Sequence, residues 1–198
     1  MMIEFGVAAR PAPGETLSGD DFLVELTDEA TLVAVVDGLG HGPEAADASN
    51  SAVEYLREHA VQPLVPLVEG CHQALRKTRG VVLAIARLEE AGRALSWLGV
   101  GNVEARVFRS GRDWGQSDTL LLRGGVVGYQ IPALRPRSLG LKLGDLLVMA
   151  TDGIQNDYPS ALKPTQTVQA SADCVLADYG IDSDDALVLV SRLIEDSS

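Results

Sequence analysis

The sequence predicts an α+β fold of antiparallel β-sheets covered by helices that come from separate blocks of the chain. Short apolar, β-branched runs recur along the sequence, and many follow one another with only glycine-containing turns between them. The helical patterns are confined to two blocks, whereas a doubly wound parallel sheet would alternate strands and helices regularly. A length of 198 residues suits one domain spanning residues 1–198, and we expect no separate regulatory domain.

The first half of the chain predicts three strands followed by a pair of helices. The run TLVAVV is continuously apolar and stops at Asp37-Gly38, which is typical of a strand buried on both faces. The stretch that follows is rich in Ala, Glu and Leu and has Pro43 at its start, which favours a helix. The expected elements are strands at 3–10, 22–26 and 31–36 and helices at 43–60 and 64–77.

The second half is dominated by β-rich runs. VVLAIARLE, ALSWLGVG and VEARVFR follow one another across glycine-containing turns, and shorter runs continue the pattern. One moderately amphipathic stretch and a final apolar run close the sequence. The expected elements are strands at 81–89, 94–101, 103–109, 120–122, 126–127, 138–143, 146–150 and 186–193 and a helix at 164–179.

Composition argues against several classes of function. The chain has 28 acidic and 16 basic residues, a net charge of −12 and a pI near 4.6, so it repels nucleic-acid phosphates and anionic lipid. Its longest apolar stretches fall far short of the ~20 residues of a membrane span, and MMIEFGVAAR lacks the pattern of a signal peptide. Cys71 and Cys174 form neither a disulfide framework nor a metal-ligand spacing. We expect a cytoplasmic protein, and nothing in the sequence requires more than a monomer.

Aspartates stand at the ends of several predicted strands. Asp37 and Asp152 each follow an apolar strand, and a glycine follows each of them, where the backbone can turn sharply or approach a neighbour closely. The pair at 184–185 begins the last strand, and the pair at 20–21 precedes the second. In an antiparallel sheet the start of one strand lies beside the end of its neighbour. The sequence therefore predicts that these carboxylates converge on one rim.

A cluster of carboxylates indicates a site for hard cations. Carboxylates repel one another unless protons or cations compensate them. Oxygen ligands without His or Cys select Mg²⁺, Mn²⁺ or Ca²⁺ rather than Zn²⁺ or copper. Two such ions roughly 3.5–4 Å apart can activate water for in-line attack on phosphorus. Asp-Gly is also a common turn dipeptide, but its repetition at strand ends, together with GDD at 19–21, favours the metal site.

Four ordered segments resemble the motifs of a known family, the metal-dependent (PPM-type) serine/threonine protein phosphatases. The similarity is greatest to the SpoIIE-like branch in its compact form without a sensor domain, and it extends from Gly19 to Val190. Thr78-Arg79-Gly80 and Gly99–Asn102 fall where that family has comparable segments. The four segments are SGDDF at 18–22, VVDGLGHG at 35–42, ATDGI at 150–154 and DDALVLV at 184–190.

The resemblance implies an αββα sandwich, two antiparallel sheets flanked by helices, with two Mn²⁺ or Mg²⁺ ions at one edge. By position, Asp37 would bridge both ions and the Gly38 carbonyl would coordinate one of them. Asp152 and Asp184 would hold the other ion, and Asp20 would act directly or through water. The nucleophile would be a metal-bound hydroxide. The implied catalytic set is therefore Asp20, Asp37, Asp152 and Asp184.

Three further residues are candidates for supporting the ligands or contacting substrate. Asp21 and Asp185 neighbour motif positions that are already filled, which favours a supporting or structural role. His41, between glycines, is a candidate general acid or phosphate contact, with a structural polar contact as the alternative. No arginine clearly matches the phosphate-gripping residue of the eukaryotic enzymes. Arg10 and Arg79 are candidates that also fit surface roles.

Two histidines have ordinary structural explanations, and the role of one tryptophan stays open. His59 and His72 are expected on helix surfaces. Trp114, in a loop rich in Gly and Asp, is either exposed or part of a substrate rim.

The function implied by the resemblance is hydrolysis of phosphoserine and phosphothreonine in proteins. The implied substrates are phosphorylated STAS-domain proteins of a stressosome or a related partner-switching system. Two alternatives stay open. One is a catalytically silent, phosphatase-like binding module of a signalling complex, and the other is a two-metal phosphohydrolase that acts on small molecules.

Other motifs fit the sequence poorly. Gly38, Gly40 and Gly42 have the spacing G-x-G-x-G rather than that of a dinucleotide loop, and the preceding aspartate would repel a pyrophosphate. A calcium loop starting at Asp182 would need glycine where Leu187 stands. No G-x-S-x-G elbow is present to indicate a serine nucleophile.

Overall fold

A computed structural model describes residues 2–89, 93–111 and 115–195, and Trp114 lies outside these ranges. Within them the chain forms ten strands and three α-helices. The strands are β1 (Met2–Arg10), β2 (Asp20–Leu26), β3 (Thr31–Gly38), β4 (Val81–Glu89), β5 (Ala94–Val100), β6 (Glu104–Phe108), β7 (Ser117–Thr119), β8 (Arg137–Gly140), β9 (Leu146–Ala150) and β10 (Ala186–Ile194). The helices are α1 (Pro43–Glu58), α2 (Leu64–Ala74) and α3 (Val168–Tyr179).

The strands form two five-stranded sheets. The first sheet has the order β1-β10-β9-β6-β7 and the second the order β2-β3-β4-β5-β8. Every pairing among these strands is antiparallel, as the runs of consecutive β patterns predict. No helix in the described part of the chain is both long and apolar enough to cross a bilayer.

Four layers stack as helix, sheet, sheet and helix. Alternate residues of β3 show this: Leu32 and Ala34 face the core under α1 and α2, whereas Val33 and Val35 face the core between the sheets. On β10, Leu187 faces the other sheet and Val188 packs in the core under α3. Strands buried on both faces need continuous apolar runs, which explains TLVAVV and ALVLV. The predicted αββα sandwich is confirmed.

Most predicted elements are present, and the differences have local causes. The strand predicted at 120–122 is wrong, because pairing with β6 occurs at Ser117–Thr119 and only Leu120 enters the core between the sheets. The short strand predicted at 126–127 consists of isolated bridges to Val81 and Gln130. Helix α3 begins at Val168 rather than 164, because the Thr167 hydroxyl accepts a hydrogen bond from the Ala170 amide and caps the helix there.

Smaller differences lie at the ends of the other elements. Helix α1 ends at Glu58, and the last turn of the second predicted helix is a 3₁₀ turn at Leu75–Lys77. Strand β8 covers Arg137–Gly140 rather than 138–143.

The sheet register brings the aspartate-bearing strand ends together. In the second sheet, Asp20 on β2 lies directly opposite Asp37 on β3. In the first sheet, β10 runs antiparallel to β9 with Val188 opposite Ala150, so the start of β10 lies beside the end of β9. The convergence predicted from sequence therefore occurs at one rim of the sandwich.

Candidate functional site

A cavity of about 360 Å³ opens at the rim where the two sheets meet. Five aspartates line it, and they come from both sheets and from the turns that precede or follow their strands. Its polar side chains carry carboxylate, amide, hydroxyl and imidazole groups. The lining residues are Asp20, Asp37, Leu39, Gly40, His41, Val82, Asn102, Asp152, Ser183, Asp184 and Asp185.

The second sheet contributes the more enclosed half of the cavity. Asp20 is buried and Asp37 half-buried, and both project from the face of the sheet that meets the first sheet. Burial raises the pKa of Asp20 to about 7, and the other aspartates of the cavity add to the shift. Burial also raises the pKa of Asp37 to about 8, again with the help of the neighbouring carboxylates. Ionising both residues is therefore unfavourable without a compensating charge.

A hydroxyl from the first sheet orients Asp20. Thr151, which follows β9, donates a hydrogen bond of 2.8 Å to Oδ2 of Asp20. The same hydroxyl oxygen accepts a 2.9 Å hydrogen bond from the Leu187 amide on β10. The hydrogen bond from Thr151 to Asp20 opposes the rise in the pKa of Asp20. Thr151 therefore links the two sheets directly beneath the cavity.

The first sheet contributes the more open half. Asp152, in the turn after β9, and Asp184, before β10, are both exposed. Nδ2 of Asn102 donates a 2.6 Å hydrogen bond to Oδ2 of Asp152. Burial followed by the charge of Asp184 raises the pKa of Asp152, and the bond from Asn102 opposes that shift. This half is thus more exposed to solvent than the half that the second sheet contributes.

Asp185 holds the backbone around the cavity. It is buried, its Oδ1 accepts a 2.7 Å hydrogen bond from the Ala12 amide, and its Oδ2 accepts a 2.9 Å bond from the Gly19 amide. Because Asp185 begins β10 and Gly19 precedes β2, these bonds tie one sheet to the other. Because both of its carboxylate oxygens accept hydrogen bonds from backbone amides, Asp185 has a structural role.

The two glycines after the aspartates are required by close backbone packing. A Cβ atom at Gly38 would overlap the carbonyl oxygen of Ala45 on α1, and one at Gly153 would overlap the carbonyl oxygen of Asp185. Glycine thus lets a helix and a strand approach the ends of β3 and β9. The repeated Asp-Gly pattern follows from this packing rather than from a simple turn.

Several predicted residues lie at the rim of the cavity or away from it. Nδ1 of His41, an exposed side chain, lies 2.8 Å from Oε1 of Glu15. Asp21 does not reach the site, since it points to the helix side of the second sheet and lines a separate groove with α1. Arg79 pairs with Glu44 next to Gly40 at the rim. Arg10 pairs with Asp182, Nη2 to Oδ1, at 2.9 Å.

The surface position predicted for His72 is wrong. Its side chain is buried, and its Nδ1 accepts a 3.0 Å hydrogen bond from the Gly128 amide, which anchors the segment after β7 to α2. His59 is half-buried at the end of α1 and stacks on the ring of Tyr55.

Sequence reasoning missed two residues that shape the site. Asn102 lies in the segment Gly99–Asn102 that resembles the family, but that resemblance assigned it no role. Thr151 precedes Asp152 in ATDGI, and strand alternation turns its side chain opposite to that of Ala150. The alternation can be predicted from the sequence. The hydrogen-bond partner of Thr151, however, is Asp20, which lies more than 100 residues away in the chain.

The donor set fits a hard divalent cation. Five carboxylates share one small cavity with an amide oxygen and no cysteine, and two of them have strongly raised pKa values, which favours Mg²⁺ or Mn²⁺. In the described ranges, however, no three acidic, histidine or cysteine side chains already surround one point as ligands. Oxygens of Asp20, Asp152 and Asp185 are instead engaged by protein donors. The chemistry of the site suits a cation, and binding would involve rearrangement of these contacts.

Comparisons with known proteins identify relatives over nearly the whole chain. The family model described as Stage II sporulation protein E (SpoIIE) matches residues 27–177. Phosphoserine phosphatase RsbX of Bacillus subtilis (strain 168) is 25% identical over 181 residues, which cover 91% of this chain and 89% of RsbX.

Solved structures are similar over the same extent. One chain is 30% identical to this protein, with a TM-score of 0.89. It comes from a structure described as the bacterial stressosome, a modular system that has been adapted to control secondary messenger signaling. That match covers 97% of this chain and 100% of the other. A crystal structure of RsbX in complex with magnesium has the same fold, with 24% identity, a TM-score of 0.85 and coverage of 96% and 95%.

Proposed function

The chain belongs to the SpoIIE family of PP2C-type phosphatases, and from that premise we propose that it hydrolyses phosphoserine and phosphothreonine in proteins with the help of Mn²⁺ or Mg²⁺. One observation carries the proposal: five aspartates from both sheets converge in one cavity. Two of them have pKa values raised to about 7 and about 8. Burial, together with repulsion between the carboxylates, makes their ionisation unfavourable, and a bound cation would offset both effects.

The ligands in this proposal are the residues at the strand ends. Asp37, with the Gly38 carbonyl, would hold one ion, and Asp152 and Asp184 a second, with Asp20 beside them. When bound, the ions supply positive charge for the phosphate oxygens and an activated water as nucleophile. The count of two ions rests on the match of these positions to the family motifs.

The protein's own contacts prepare these ligands. Thr151 fixes the rotamer of Asp20 through its hydroxyl, and Asn102 holds Asp152 at its Oδ2. Hydrogen-bonded neighbours of this kind set the orientation of metal ligands and commonly change metal affinity 10–100-fold. A phosphomonoester dianion would be repelled from five carboxylates, so the cation is also needed for substrate binding.

The substrate class in this proposal is the phosphorylated STAS-domain protein of a stressosome or a partner-switching system. Support comes from the similarity to RsbX and to a chain of a stressosome structure. A cytoplasmic location and a single phosphatase domain spanning residues 1–198 belong to the same proposal.

The test is hydrolysis of p-nitrophenyl phosphate across a Mn²⁺ titration. Asp37→Asn and Asp152→Asn are compared with the wild type, and Asp28→Asn is the matched control, since Asp28 is exposed in the turn at the other end of β2 and β3. We expect Mn²⁺-dependent turnover in the wild type and the control, its loss at every Mn²⁺ concentration in Asp37→Asn, and a large loss at limiting Mn²⁺ in Asp152→Asn. Full metal-dependent activity in Asp37→Asn would refute the mechanism.

A catalytically silent binding module is the second candidate. One observation favours it: Asn102 occupies an oxygen of Asp152, and no three ligand side chains in the described residues already converge on one point. Calorimetry separates the candidates. Mn²⁺ binding without turnover of p-nitrophenyl phosphate or of a phosphorylated STAS-domain protein would favour the module.

A further inference from the structure

One segment of the chain has a charge opposite to that of the whole. Residues 119–144 contain four basic residues and no acidic residue, although the chain as a whole has a net charge of −12. This segment connects β7 to β9 through β8. A local field of opposite sign in an acidic protein is a feature that an anionic partner can recognise.

Three of these basic residues share one shallow cleft. Arg123, Arg135 and Arg137 line it together with residues of β5 and the start of the segment, and we call it the arginine cleft. None of the three forms an ion pair with a residue that the structure describes. The nearby Arg109, by contrast, pairs with Asp118 and Asp145. The cleft therefore presents uncompensated positive charge.

A backbone hydrogen bond connects the wall of the arginine cleft to the wall of the carboxylate cavity. The Gly101 amide donates a 2.8 Å hydrogen bond to the carbonyl oxygen of Arg123. The next residue, Asn102, lines the cavity and bonds to Asp152. At the far end of the cleft, Arg137 lies opposite Trp97 on β5. Trp97 and Asn102 are five positions apart in the sequence. Strand β5 is extended as far as Val100 and the backbone bends at Gly101, so the two residues lie within roughly 17 Å of each other.

Exposed apolar side chains accompany the arginines. Leu121, Leu122 and Tyr129 are 56%, 44% and 76% exposed. A groove of about 460 Å³ lies along residues 124–132 of the same segment. Tyrosine and arginine beside apolar surface are typical of protein interfaces and less so of sites for a free anion. The combination favours a protein segment as the ligand.

We propose that residues 119–144 form the docking surface for the phosphoprotein substrate, with the arginine cleft binding acidic side chains of that substrate. This rests on the proposed function, since a phosphorylated residue seated in the cavity forces its flanking chain across neighbouring surface. An extended substrate covers roughly 17 Å in about five residues. The acidic side chains should therefore lie about three to six residues from the phosphorylated residue, on one side of it.

The experiment uses two synthetic phosphoserine peptides of equal length. One carries glutamates at three to six residues on both sides of the phosphoserine, and the other carries glutamines there. With Mn²⁺ at low salt, we expect wild-type kcat/KM to be about tenfold higher for the acidic peptide, with the difference shrinking as salt is added. Arg135→Glu should reduce that preference, and the double variant Arg135→Glu/Arg137→Glu should abolish it. Hydrolysis of p-nitrophenyl phosphate should stay at the wild-type rate in both.

The matched control is Lys163→Glu, which makes the same charge change as Arg135→Glu. Lys163 is exposed in the turn before α3, on the first sheet's side of the sandwich. The control should keep the preference for the acidic peptide. An equal loss in Lys163→Glu would mean that only net charge matters, and it would overturn the docking surface.

Other outcomes separate this inference from the proposed function. Turnover of p-nitrophenyl phosphate without any preference between peptides overturns the docking surface alone. Absence of all turnover overturns the proposed function, and fluorescence anisotropy of the labelled peptides then measures docking by itself. If the arginine variants instead change a dimer into a monomer in sedimentation, or abolish binding of a labelled single-stranded oligonucleotide while leaving peptide binding intact, the surface serves a different partner.

Discussion

The two halves of the carboxylate cavity are built from the same sequence pattern and have different physical properties. In the second sheet, Asp20 and Asp37 are enclosed between the sheets, and their pKa values rise to about 7 and about 8. In the first sheet, Asp152 and Asp184 stand in turns and are exposed. Burial and the neighbouring carboxylates make ionisation of the enclosed half unfavourable, whereas the open half is exposed to solvent. We infer that a cation binds mainly because it compensates the carboxylates of the enclosed half, and that the carboxylates of the open half complete its coordination.

The largest expected effect follows from removing charge in the enclosed half. Asp37→Asn should lower the rate of p-nitrophenyl phosphate hydrolysis about a thousandfold or more, because the proposed cation site loses the charge of a ligand that lies enclosed between the sheets. Raising the Mn²⁺ concentration should not restore the rate. Steady-state kinetics at several Mn²⁺ concentrations provides the measurement, and recovery at high Mn²⁺ would contradict the distinction between the halves.

The corresponding change in the open half should have a smaller and partly reversible effect. Asp152→Asn should weaken Mn²⁺ affinity and lower activity at limiting Mn²⁺ by about a hundredfold, since hydration and Asp184 can partly replace the lost oxygen. The same kinetic titration measures it. We expect part of the activity of Asp152→Asn to return at high Mn²⁺. Equal losses in Asp37→Asn and Asp152→Asn that high Mn²⁺ does not reverse would contradict the difference between the two halves of the cavity.

Thr151 links the two halves, and its loss should affect stability and metal binding together. Thr151→Val leaves the Leu187 amide without its side-chain acceptor and Asp20 without its donor. The free energy of unfolding should fall by about 1–3 kcal/mol, and Mn²⁺ affinity should fall about tenfold or more. Denaturant unfolding and Mn²⁺ titration measure these effects. Thr151→Ser, which keeps the hydroxyl, should restore both, and a Ser variant as impaired as Val would argue against the hydrogen bond.

Metal-free protein should lose stability as the pH rises. The folded-state pKa values of Asp20 and Asp37 lie at about 7 and about 8, above the usual 3.8, so between pH 4 and 8 the folded state binds more protons than the unfolded state. Stability then falls with pH across this window. Calorimetric melting in EDTA should show Tm decreasing from pH 5 to 8, by about 2–4 °C for each kcal/mol. Asp37→Asn should flatten this dependence, and a Tm that rises through the window would contradict the account.

The smallest effect is expected beside Asp20 in sequence. Asp21 points to the helix side of the second sheet and lines a different groove. Asp21→Asn should therefore change kcat/KM for p-nitrophenyl phosphate by less than about twofold, within the range of an ordinary surface substitution. A large loss in this variant would mean that the site extends through the sheet.

The sequence predicts the main architecture because that architecture depends on local patterns. Continuous apolar runs such as TLVAVV define strands buried on both faces, and the aspartates after them mark strand ends. Antiparallel pairing brings Asp20 beside Asp37 in one sheet and the start of β10 beside the end of β9 in the other. Stacking of the two sheets then brings Asp37 and Asp152 to the same rim. The close packing that makes Gly38 and Gly153 necessary depends on a helix and a strand from elsewhere in the chain.

What the sequence does not predict depends on contacts between distant segments. The burial of His72 follows from its bond to Gly128, 56 residues away. The role of Asn102 requires the turn after β5 to meet the turn after β9. The displacement of β7 to Ser117–Thr119 reflects pairing with β6, which overrides the apolar pattern of the next three residues. None of these contacts leaves a periodic signal in the sequence.

The most direct test of the central claim is a calorimetric titration of Mn²⁺ into metal-free protein at pH 7, repeated in two buffers of different ionisation enthalpy. Because Asp20 and Asp37 have pKa values of about 7 and about 8 without metal, Mn²⁺ binding should release about one proton or more from the wild type. Asp37→Asn should bind more weakly and release fewer protons, while Asp28→Asn should match the wild type. Equal Mn²⁺ affinity and proton release in Asp37→Asn would contradict the claim that the enclosed carboxylates hold the cation.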